Sequence, residues 1–265
     1  MKLTDLLYKK DDGIAYITIN RPENFNSFRL QTFDELLMII DDLDNDNTIG
    51  VVVIQGAGNK AFCSGVDVET LKGMSEFPEH LIRKFTKKAI QMVNGLLLLD
   101  KPTIAAVKGY SIGFGHELHM LCDLTIAADN AIFGQVGPKV ASVPMVGGTQ
   151  ILPFLVGIKK AKEILFLCKQ YTAKQALEMG LVNAVCPLDQ LDEEVYNVCQ
   201  TILDMSPSAI RLAKLSLNHD LFLKFPSFTD GAELWSGILA GKEEMREGTR
   251  AFFSKQKPDF RKFRR

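Results

Sequence analysis

Short, continuous apolar runs separated by helix-length segments constrain the fold of this 265-residue chain most strongly. Residues 50–56 (GVVVIQG), 102–107 (PTIAAV) and 124–128 (LTIAA) lack the polar alternation of a half-solvated strand, so they predict strands covered on both faces. Residues 33–43, before the first run, and residues 75–99, between the first and the second, place apolar side chains at helical spacing. The pattern therefore predicts an α/β fold with crossover helices.

Further strands and helices are predicted around these runs. Residues 13–20 alternate β-branched or aromatic residues with smaller ones and end at the turn Arg21-Pro22, which predicts a strand. A helix is predicted over residues 115–121, directly after a glycine-rich turn. After about residue 155 the chain is mostly helical, with helices predicted over residues 159–168, 173–179, 188–203 and 208–223.

Composition excludes several classes of protein. The 31 Lys and Arg residues against 32 Asp and Glu leave a net charge of −1, so no global field draws the chain to nucleic acid or an anionic membrane. The five cysteines include no CxxC pair, which argues against a disulfide framework and a zinc site. No apolar stretch is long enough for a signal sequence or a membrane span. We expect a cytoplasmic protein with neither nucleic acid nor a membrane as partner.

The segment KGYSIGFGHELHMLCD (residues 108–123) is the most informative for chemistry, because glycines let the backbone approach a ligand. Its GYSIG part matches the G-x-S-x-G elbow of serine hydrolases, with Ser111 as the nucleophile. That elbow needs an acid and a histidine downstream and an oxyanion loop such as HGGG upstream. Only His219 is remotely placed and no such loop is present, which disfavours hydrolysis by Ser111.

Two other chemistries compete for the same segment. His116 and His119 lie three residues apart on one predicted helix, but they match neither HExxH nor HxxEH and have no evident third ligand, so we expect no metal site. Glu117 has apolar neighbours, and burial raises a carboxyl pKa toward neutrality, where it becomes usable as a general acid or base. A helix-start glutamate that faces solvent is the alternative for Glu117.

Seven landmarks in order resemble the crotonase, or enoyl-CoA hydratase/isomerase, superfamily over nearly the whole chain. They are INRPENFNSF (19–28), AFCSGVD (61–67), KPTIAAVKGYSIGFGHELHMLCD (101–123), AIFGQ (131–135), PMVGGTQ (144–150), TAKQALEMGLVNAV (172–185) and EGTRAFFSKQKPDF (247–260). The resemblance implies an α/β spiral of ββα units over residues 1–200 and a helical C-terminal region over residues 201–265. It also implies a homotrimer or a hexamer, and an acyl-CoA thioester as the substrate.

The resemblance also assigns catalytic roles. The backbone N–H groups of Val66 and Phe114 would form an oxyanion hole, which stabilises negative charge on a thioester oxygen. Glu117 aligns with the first of two catalytic glutamates of the hydratases. The second is missing, since Gly137 stands at its position, which implies a mechanism with one carboxylate. The family usually has glycine where Phe114 stands, so this side chain is expected to shape the acyl pocket.

The CoA part of the substrate is assigned by the same resemblance, and no other cofactor is implied. Arg29 would lie near the phosphates, and Phe252 with Lys255 would come from a neighbouring subunit. The backbone around Cys63, Gly65 and Val68 would surround the adenine. A solvated basic tail, with Phe252 in the core, is the alternative for the C-terminus. Asp67 and Asp123 recur in the family pattern, but turn capping explains them equally well.

Residues 116–142 resemble 1,4-dihydroxy-2-naphthoyl-CoA synthases and related ring-opening hydrolases more than fatty-acid hydratases. Those enzymes have an apolar residue at Glu117, Asp at Pro144 and Tyr where Ala240 aligns, so their distinguishing groups are absent here. We therefore expect an enoyl-CoA hydratase or isomerase that acts on an unsaturated acyl-CoA, linear or cyclic, through Glu117. The alternatives are a naphthoate-synthase-like or ring-opening enzyme, a serine thioesterase and a non-catalytic CoA-binding protein.

Overall fold

The computed structural model of the protein describes residues 2–67, 69–70, 79–144, 146–222 and 243–263. Its strands form two sheets. The larger sheet contains, in spatial order, β1 (Leu6–Asp11), β2 (Ile14–Ile19), β3 (Val51–Gly56), β5 (Thr103–Val107), β7 (Leu124–Ala128) and β10 (Ala184–Cys186). The smaller sheet contains β4 (Ala61–Cys63), β6 (Tyr110–Ile112), β8 (Ile132–Gly134) and β9 (Gln170–Thr172).

The two sheets arise from a repeated unit. The strands β3, β5 and β7 lie side by side in the larger sheet and are parallel to one another. The strand that follows each of them, β4, β6 and β8, lies in the smaller sheet, and these are also parallel. Each pass of the chain thus adds one strand to each sheet before a helix or turn leads to the next pass. This is the α/β spiral that the resemblance implied.

Helices connect and cover the strands. They are α1 (Leu30–Asp44), α2 (Glu79–Leu98), α3 (Phe114–Leu121), α4 (Leu152–Val156), α5 (Ile158–Leu167), α6 (Ala173–Glu178), α7 (Leu191–Leu203), α8 (Pro207–Leu217), α9 (His219–Phe222) and α10 (Glu243–Phe253), with 3-10 turns at Pro22–Asn24, Gly137–Val140, Leu188–Gln190 and Phe260–Phe263. Within the described ranges, no helix is long and apolar enough to cross a membrane. The helix predicted over residues 208–223 was wrong in one respect, because Asn218 separates α8 from α9.

The central strands are buried on both faces, as the apolar runs predicted. Val52 and Ile54 of β3 join the core cluster that includes the apolar face of α1. Val51 and Val53 point the other way and join a second cluster that α7 covers. Because both faces are filled, the ends of these strands and the turns after them are held in fixed positions.

A buried lysine fastens the C-terminal helices to this core. Lys214 of α8 donates from Nζ to the carbonyl oxygens of Leu96 and Lys101 and forms an ion pair with Asp123 at 2.8 Å. Asp123 also accepts from the backbone N–H and the hydroxyl of Thr103. Asp123 is therefore a structural residue before β7, but its side chain joins a neighbouring strand and a helix rather than capping a turn, as the sequence had suggested. The division of the chain at residue 200 stays a prediction.

Candidate active site

A cavity of about 160 Å³ lies where the turns after β4 and β6 meet the C-terminal helix α10. Among the described residues that line it, Glu117 carries the sole carboxylate, and most of the others are apolar or glycine. They include Phe33, Gly65, Val66, Phe85, Gly113, Phe114, Gln135, Val136, Gly137, Val140, Ser142, Pro144, Val146, Thr249 and Phe252. The structure thus brings Val66, Phe114 and Glu117, the three predicted catalytic residues, to one cavity.

Two glycine turns form one wall of the cavity. Gly65 has φ +114°, and Gly113 has φ +59° and ψ −119°, conformations that residues with a Cβ rarely adopt. A Cβ on Gly113 would lie 3.8 Å from the Cα of Gly65, so the two turns touch. Directly behind them, a Cβ on Gly115 would lie 1.9 Å from the carbonyl oxygen of Cys63. Glycine at these positions is what allows the two backbones to approach.

Each turn presents an unused backbone N–H. The N–H of Phe28 donates to the carbonyl of Gly65, and the carbonyl of Phe28 accepts from Asp67 N–H. These two bonds form a bridge that leaves Val66 N–H unused. Phe114 is the first residue of α3, where N–H groups have no intrahelical acceptor. Neither N–H has a hydrogen-bond partner in the described part of the chain. Two such donors beside one cavity are suited to bind an oxyanion.

The peptide group that carries Phe114 N–H is fixed through its other end. The carbonyl oxygen of Gly113 accepts from Gln135 Nε2 at 3.0 Å and from Glu117 N–H at 3.1 Å. Gln135 is fully buried at the end of β8. Because the carbonyl and the N–H belong to one planar unit, these two bonds set the direction of the N–H.

Glu117 is held by one oxygen and is free at the other. Its Oε1 accepts from Val146 N–H at 2.7 Å and from Gly148 N–H at 3.0 Å, both in the loop that follows the Gly137–Val140 turn. Its Oε2 has no hydrogen-bond partner among the described residues. Burial raises the pKa of Glu117 to about 7, although the two backbone N–H groups act in the opposite direction. The solvent-facing alternative for Glu117 is therefore wrong.

Aromatic side chains fill the space beside Glu117. The ring of Phe114 packs against those of Phe28 and Phe33, with centroids 4.9 and 5.1 Å away. Phe33 in turn contacts Phe85 edge to face at 5.1 Å. Such pairs are rigid as well as apolar, so they define the shape of the cavity.

His116 and His119 lie on the buried side of α3, away from the cavity lining. His119 Nδ1 is 3.2 Å from the hydroxyl of Thr125, and the two imidazole centroids are 5.0 Å apart. Burial lowers the pKa of His116 to about 3 and that of His119 well below its usual value, so both are neutral. Within the ranges that the structure describes, no group of three or more His, Cys, Asp or Glu side chains is arranged to hold a metal ion.

This charge arrangement predicts how stability depends on pH. The unfolded chain binds protons on both histidines below about pH 6.5 and the folded protein does not, so acid lowers the free energy of unfolding. Glu117 acts in the opposite direction, because its carboxyl is protonated in the folded protein and ionised in the unfolded chain between about pH 4.5 and 7. Between pH 5 and 6 these three groups give a net slope of about 1.4 kcal/mol per pH unit.

Glu117→Gln removes the opposing group, so its slope is expected to exceed the wild-type slope by about 1.4 kcal/mol per pH unit. Urea unfolding of both proteins at pH 5, 5.5 and 6 measures the two slopes. Equal slopes would show that Glu117 is not protonated in the folded protein in this range.

Ser111 does not occupy the position of a nucleophile. It lies within β6 and is fully buried, and its hydroxyl donates to the carbonyl of Gly115 at 3.1 Å. The hydroxyl neither lines the cavity nor bonds to a histidine within the described residues. The structure therefore disfavours a serine thioesterase.

The residues predicted to bind CoA are only partly brought together. Gly65 and Phe252 line the cavity, and Phe252 does so within its own chain, whereas the resemblance implied a neighbouring subunit. Cys63 is buried at the end of β4, and Lys255 is exposed beyond α10. Arg29 lies outside the cavity lining, and Val68 lies outside the described residues. Roles in CoA binding stay predictions for all of them.

Arg29 forms a two-bond ion pair with the carboxylate of Asp5. Its Nε and Nη2 donate to the two oxygens of Asp5 at 2.8 and 2.6 Å, which leaves Nη1 for another partner. Asp67 accepts from Arg21 Nη2 at 2.9 Å and from Glu69 N–H at 3.0 Å. Asp67 therefore caps the turn that follows it, over residues 67–69, in agreement with the capping interpretation.

Sequence reasoning missed three parts of the site. The FGQ motif contains Gln135, but only Gly137, two residues after it, was assigned a role. The PMVGGTQ landmark supplies the N–H groups of Val146 and Gly148 that hold Glu117, and Thr249 of the C-terminal landmark lines the cavity. Each stands in a quoted landmark, so the landmarks carried the signal, but contacts between distant segments were needed to interpret it.

The comparisons with known proteins agree on one family. The sequence profile described as enoyl-CoA hydratase/isomerase matches residues 9–263. An enoyl-CoA hydratase/isomerase from Xanthobacter autotrophicus Py2 is 31% identical, with 96% of this chain and 97% of that chain covered and a TM-score of 0.83. An enoyl-CoA hydratase from Bacillus anthracis is 30% identical, with 97% and 99% covered and a TM-score of 0.78. One from Mycobacterium avium subsp. paratuberculosis K-10 is 25% identical, with 98% and 99% covered and a TM-score of 0.88.

Proposed function

The chain belongs to the enoyl-CoA hydratase/isomerase family, and on that premise we propose that it converts an unsaturated acyl-CoA thioester with Glu117 as the general acid/base. The observation that carries the proposal is the state of Glu117, which is anchored through Oε1 while Oε2 is left for a substrate. Its pKa of about 7 makes both protonation states available near neutral pH. A similarity to naphthoate synthases stays a prediction.

The thioester carbonyl binds at the N–H groups of Val66 and Phe114. Removal of a proton next to this carbonyl, or addition of a nucleophile one carbon further away, places negative charge on the carbonyl oxygen. The two donors stabilise that charge, and Glu117 Oε2 takes up or delivers the proton. Because the proton moves between carbon and a carboxylate, the reaction needs no cofactor beyond the CoA part of the substrate.

A single carboxylate supports two reactions. In isomerisation, Glu117 removes a proton from C4 and returns it to C2, and the double bond moves by one position. In hydration, a water oxygen bonds to C3 while C2 receives a proton. Gly137 has no side chain where hydratases of the family have their second glutamate, so hydration requires that another group assist the water.

The test is an incubation with linear and cyclic enoyl-CoA esters in water enriched in heavy oxygen, followed by mass spectrometry of the products. Label in a hydroxyacyl-CoA identifies a hydratase, and a moved double bond without label identifies an isomerase. Binding of CoA esters without any turnover would contradict the proposal and favour a non-catalytic CoA-binding protein.

The site belongs to an oligomer in the cytoplasm under this proposal, either a homotrimer or a dimer of trimers. Exposed apolar side chains on α5 support self-association, with Ile158, Phe166 and Leu167 exposed by 56%, 72% and 58%. Sedimentation velocity measures the assembly, and a protein that stays monomeric at micromolar concentration would contradict this part.

Phe114 limits the acyl group to a compact one. The cavity of about 160 Å³ is smaller than the ~300–1,000 Å³ of ordinary small-molecule sites, and Phe114 is one of the residues that line it. Phe114→Ala is expected to raise kcat/KM for long-chain or bulky enoyl-CoAs relative to short ones by about tenfold, since removal of the ring opens space for further methylenes.

The same change removes core contacts, and a stability loss of ~3–5 kcal/mol is expected. Rates are therefore compared as ratios between substrates, at a temperature where thermal unfolding shows both proteins folded. An unchanged ratio of kcat/KM values would exclude Phe114 as a wall of the acyl pocket.

A further inference from the structure

We infer that the hydroxyl of Thr249 holds the water molecule that is added to the double bond, in place of the carboxylate that is missing at Gly137. This inference rests on the proposed function and narrows it to hydration. It assigns to the C-terminal helix α10 a direct part in the chemistry of its own chain.

The first support is the position at which α10 packs. Gly248 lies against the 3-10 turn Gly137–Val140, where a Cβ on Gly248 would be 2.6 Å from the carbonyl carbon of Val140. The next residue, Thr249, lines the cavity and is 8% exposed. Phe252, three residues later on the same helix face, lines the cavity as well. The turn that lacks a carboxylate is thus covered by the helix that carries Thr249.

The second support is that the Thr249 hydroxyl has no hydrogen-bond partner among the described residues. A threonine within a helix commonly donates to the carbonyl three or four residues earlier, as Ser254 does to Arg250 at 2.8 Å. The structure gives the Thr249 hydroxyl no hydrogen bond to any described residue. It therefore retains one donor and its acceptor lone pairs for a molecule inside the cavity.

The third support is that α10 is held firmly from its other side. Glu247 accepts from Arg250 at 2.8 Å, from Lys262 at 3.2 Å and from Asp259 N–H at 2.9 Å. Ser64 and Ser142 also line the cavity, but both lie on irregular backbone, Ser64 in the turn after β4 and Ser142 after the 3-10 turn, rather than on a helix. A fixed hydroxyl positions a water molecule better, because less freedom is lost when the water binds.

The step balances with one carboxylate. The water oxygen bonds to C3 as ionised Glu117 Oε2 takes one of its protons, and the electrons of the double bond move toward the thioester oxygen at the two N–H groups. Protonated Glu117 then delivers that proton to C2, and the second water proton stays on the new hydroxyl. Thr249 donates to or accepts from the water throughout and is unchanged.

The test compares wild type with Thr249→Val, Thr249→Ser and Ser254→Ala on one enoyl-CoA that the wild type converts. Two rates are measured in each protein, namely heavy-oxygen incorporation from water and deuterium exchange at C4, which needs Glu117 and the oxyanion hole but no added water. Thr249→Val keeps the shape of the side chain, so hydration is expected to fall about tenfold or more while exchange changes less than about twofold. Thr249→Ser is expected to retain hydration, and Ser254→Ala to match wild type.

Several results would overturn the inference. One is hydration at the wild-type rate in Thr249→Val, and another is an equal fall of both rates, which would indicate a structural role. A third is loss of hydration in Ser64→Ala or Ser142→Ala instead. Exchange without label incorporation in wild type would overturn it while the proposed function stands, whereas a wild type that catalyses neither process would remove both.

Discussion

Glu117→Gln is expected to keep the fold and to lose about 10²-fold or more in turnover, the usual contribution of a general acid or base. The glutamine carbonyl can still accept from Val146 N–H and Gly148 N–H, so the loop around the cavity stays in place. What is lost is the proton carrier at the free oxygen. Steady-state kinetics on an enoyl-CoA that the wild type converts measures the effect.

Glu178→Gln is the matched control, since Glu178 is an exposed carboxylate at the end of α6, outside the cavity lining. It is expected to match wild type in rate. The pKa of about 7 further predicts that the wild-type rate changes near neutral pH and that this inflection is absent from any residual rate of the Gln variant. An unchanged rate in Glu117→Gln would remove Glu117 from the mechanism.

Gly113→Ala is expected to cost about 10²–10³-fold in kcat, the effect of losing one oxyanion donor. There is room for the added methyl group, because its nearest neighbour would be the Cα of Gly65 at 3.8 Å. The backbone conformation at φ +59° and ψ −119° is nevertheless strained for alanine, so the peptide turns and Phe114 N–H leaves its direction. The expected loss of kcat therefore comes from the changed backbone conformation at residue 113 and not from a steric clash of the added methyl group.

Gly157→Ala is the control for this change. Gly157 also has positive φ, +77°, and nothing lies within 4 Å of an added Cβ, but it stands between α4 and α5 outside the cavity lining. The control is expected to lose stability and to keep its kcat. If both variants lose stability and neither loses activity, Phe114 N–H does not stabilise the reacting oxygen.

Residues 51–56 and 124–128 were predictable as strands because continuous apolar sequence fits a strand buried on two faces. The smaller sheet was not, since strands of three residues such as Ala61–Cys63 are too short to show a period. The strand Leu6–Asp11 was missed as well, because an edge strand that carries Lys9, Lys10 and Asp11 has no apolar pattern.

The candidate site, like the fold, was predictable from sequence only in part. Glu117 was predictable as a buried carboxyl from its apolar neighbours, and the oxyanion donors came from a resemblance between motifs. The bonds from Val146 and Gly148 to Glu117 join segments about thirty residues apart, and Thr249 reaches the cavity from more than a hundred residues away. Such contacts depend on how the spiral and α10 pack, which no local pattern encodes.

The most direct test of the central claim is deuterium exchange at the carbon next to the thioester carbonyl of a saturated acyl-CoA in heavy water. Exchange needs the oxyanion hole and Glu117 but neither a double bond nor an added water molecule. The account predicts that the wild type exchanges this proton and that Glu117→Gln does so at least about 10²-fold more slowly. Equal exchange in both proteins, or none in a wild type that binds the ester, would contradict it.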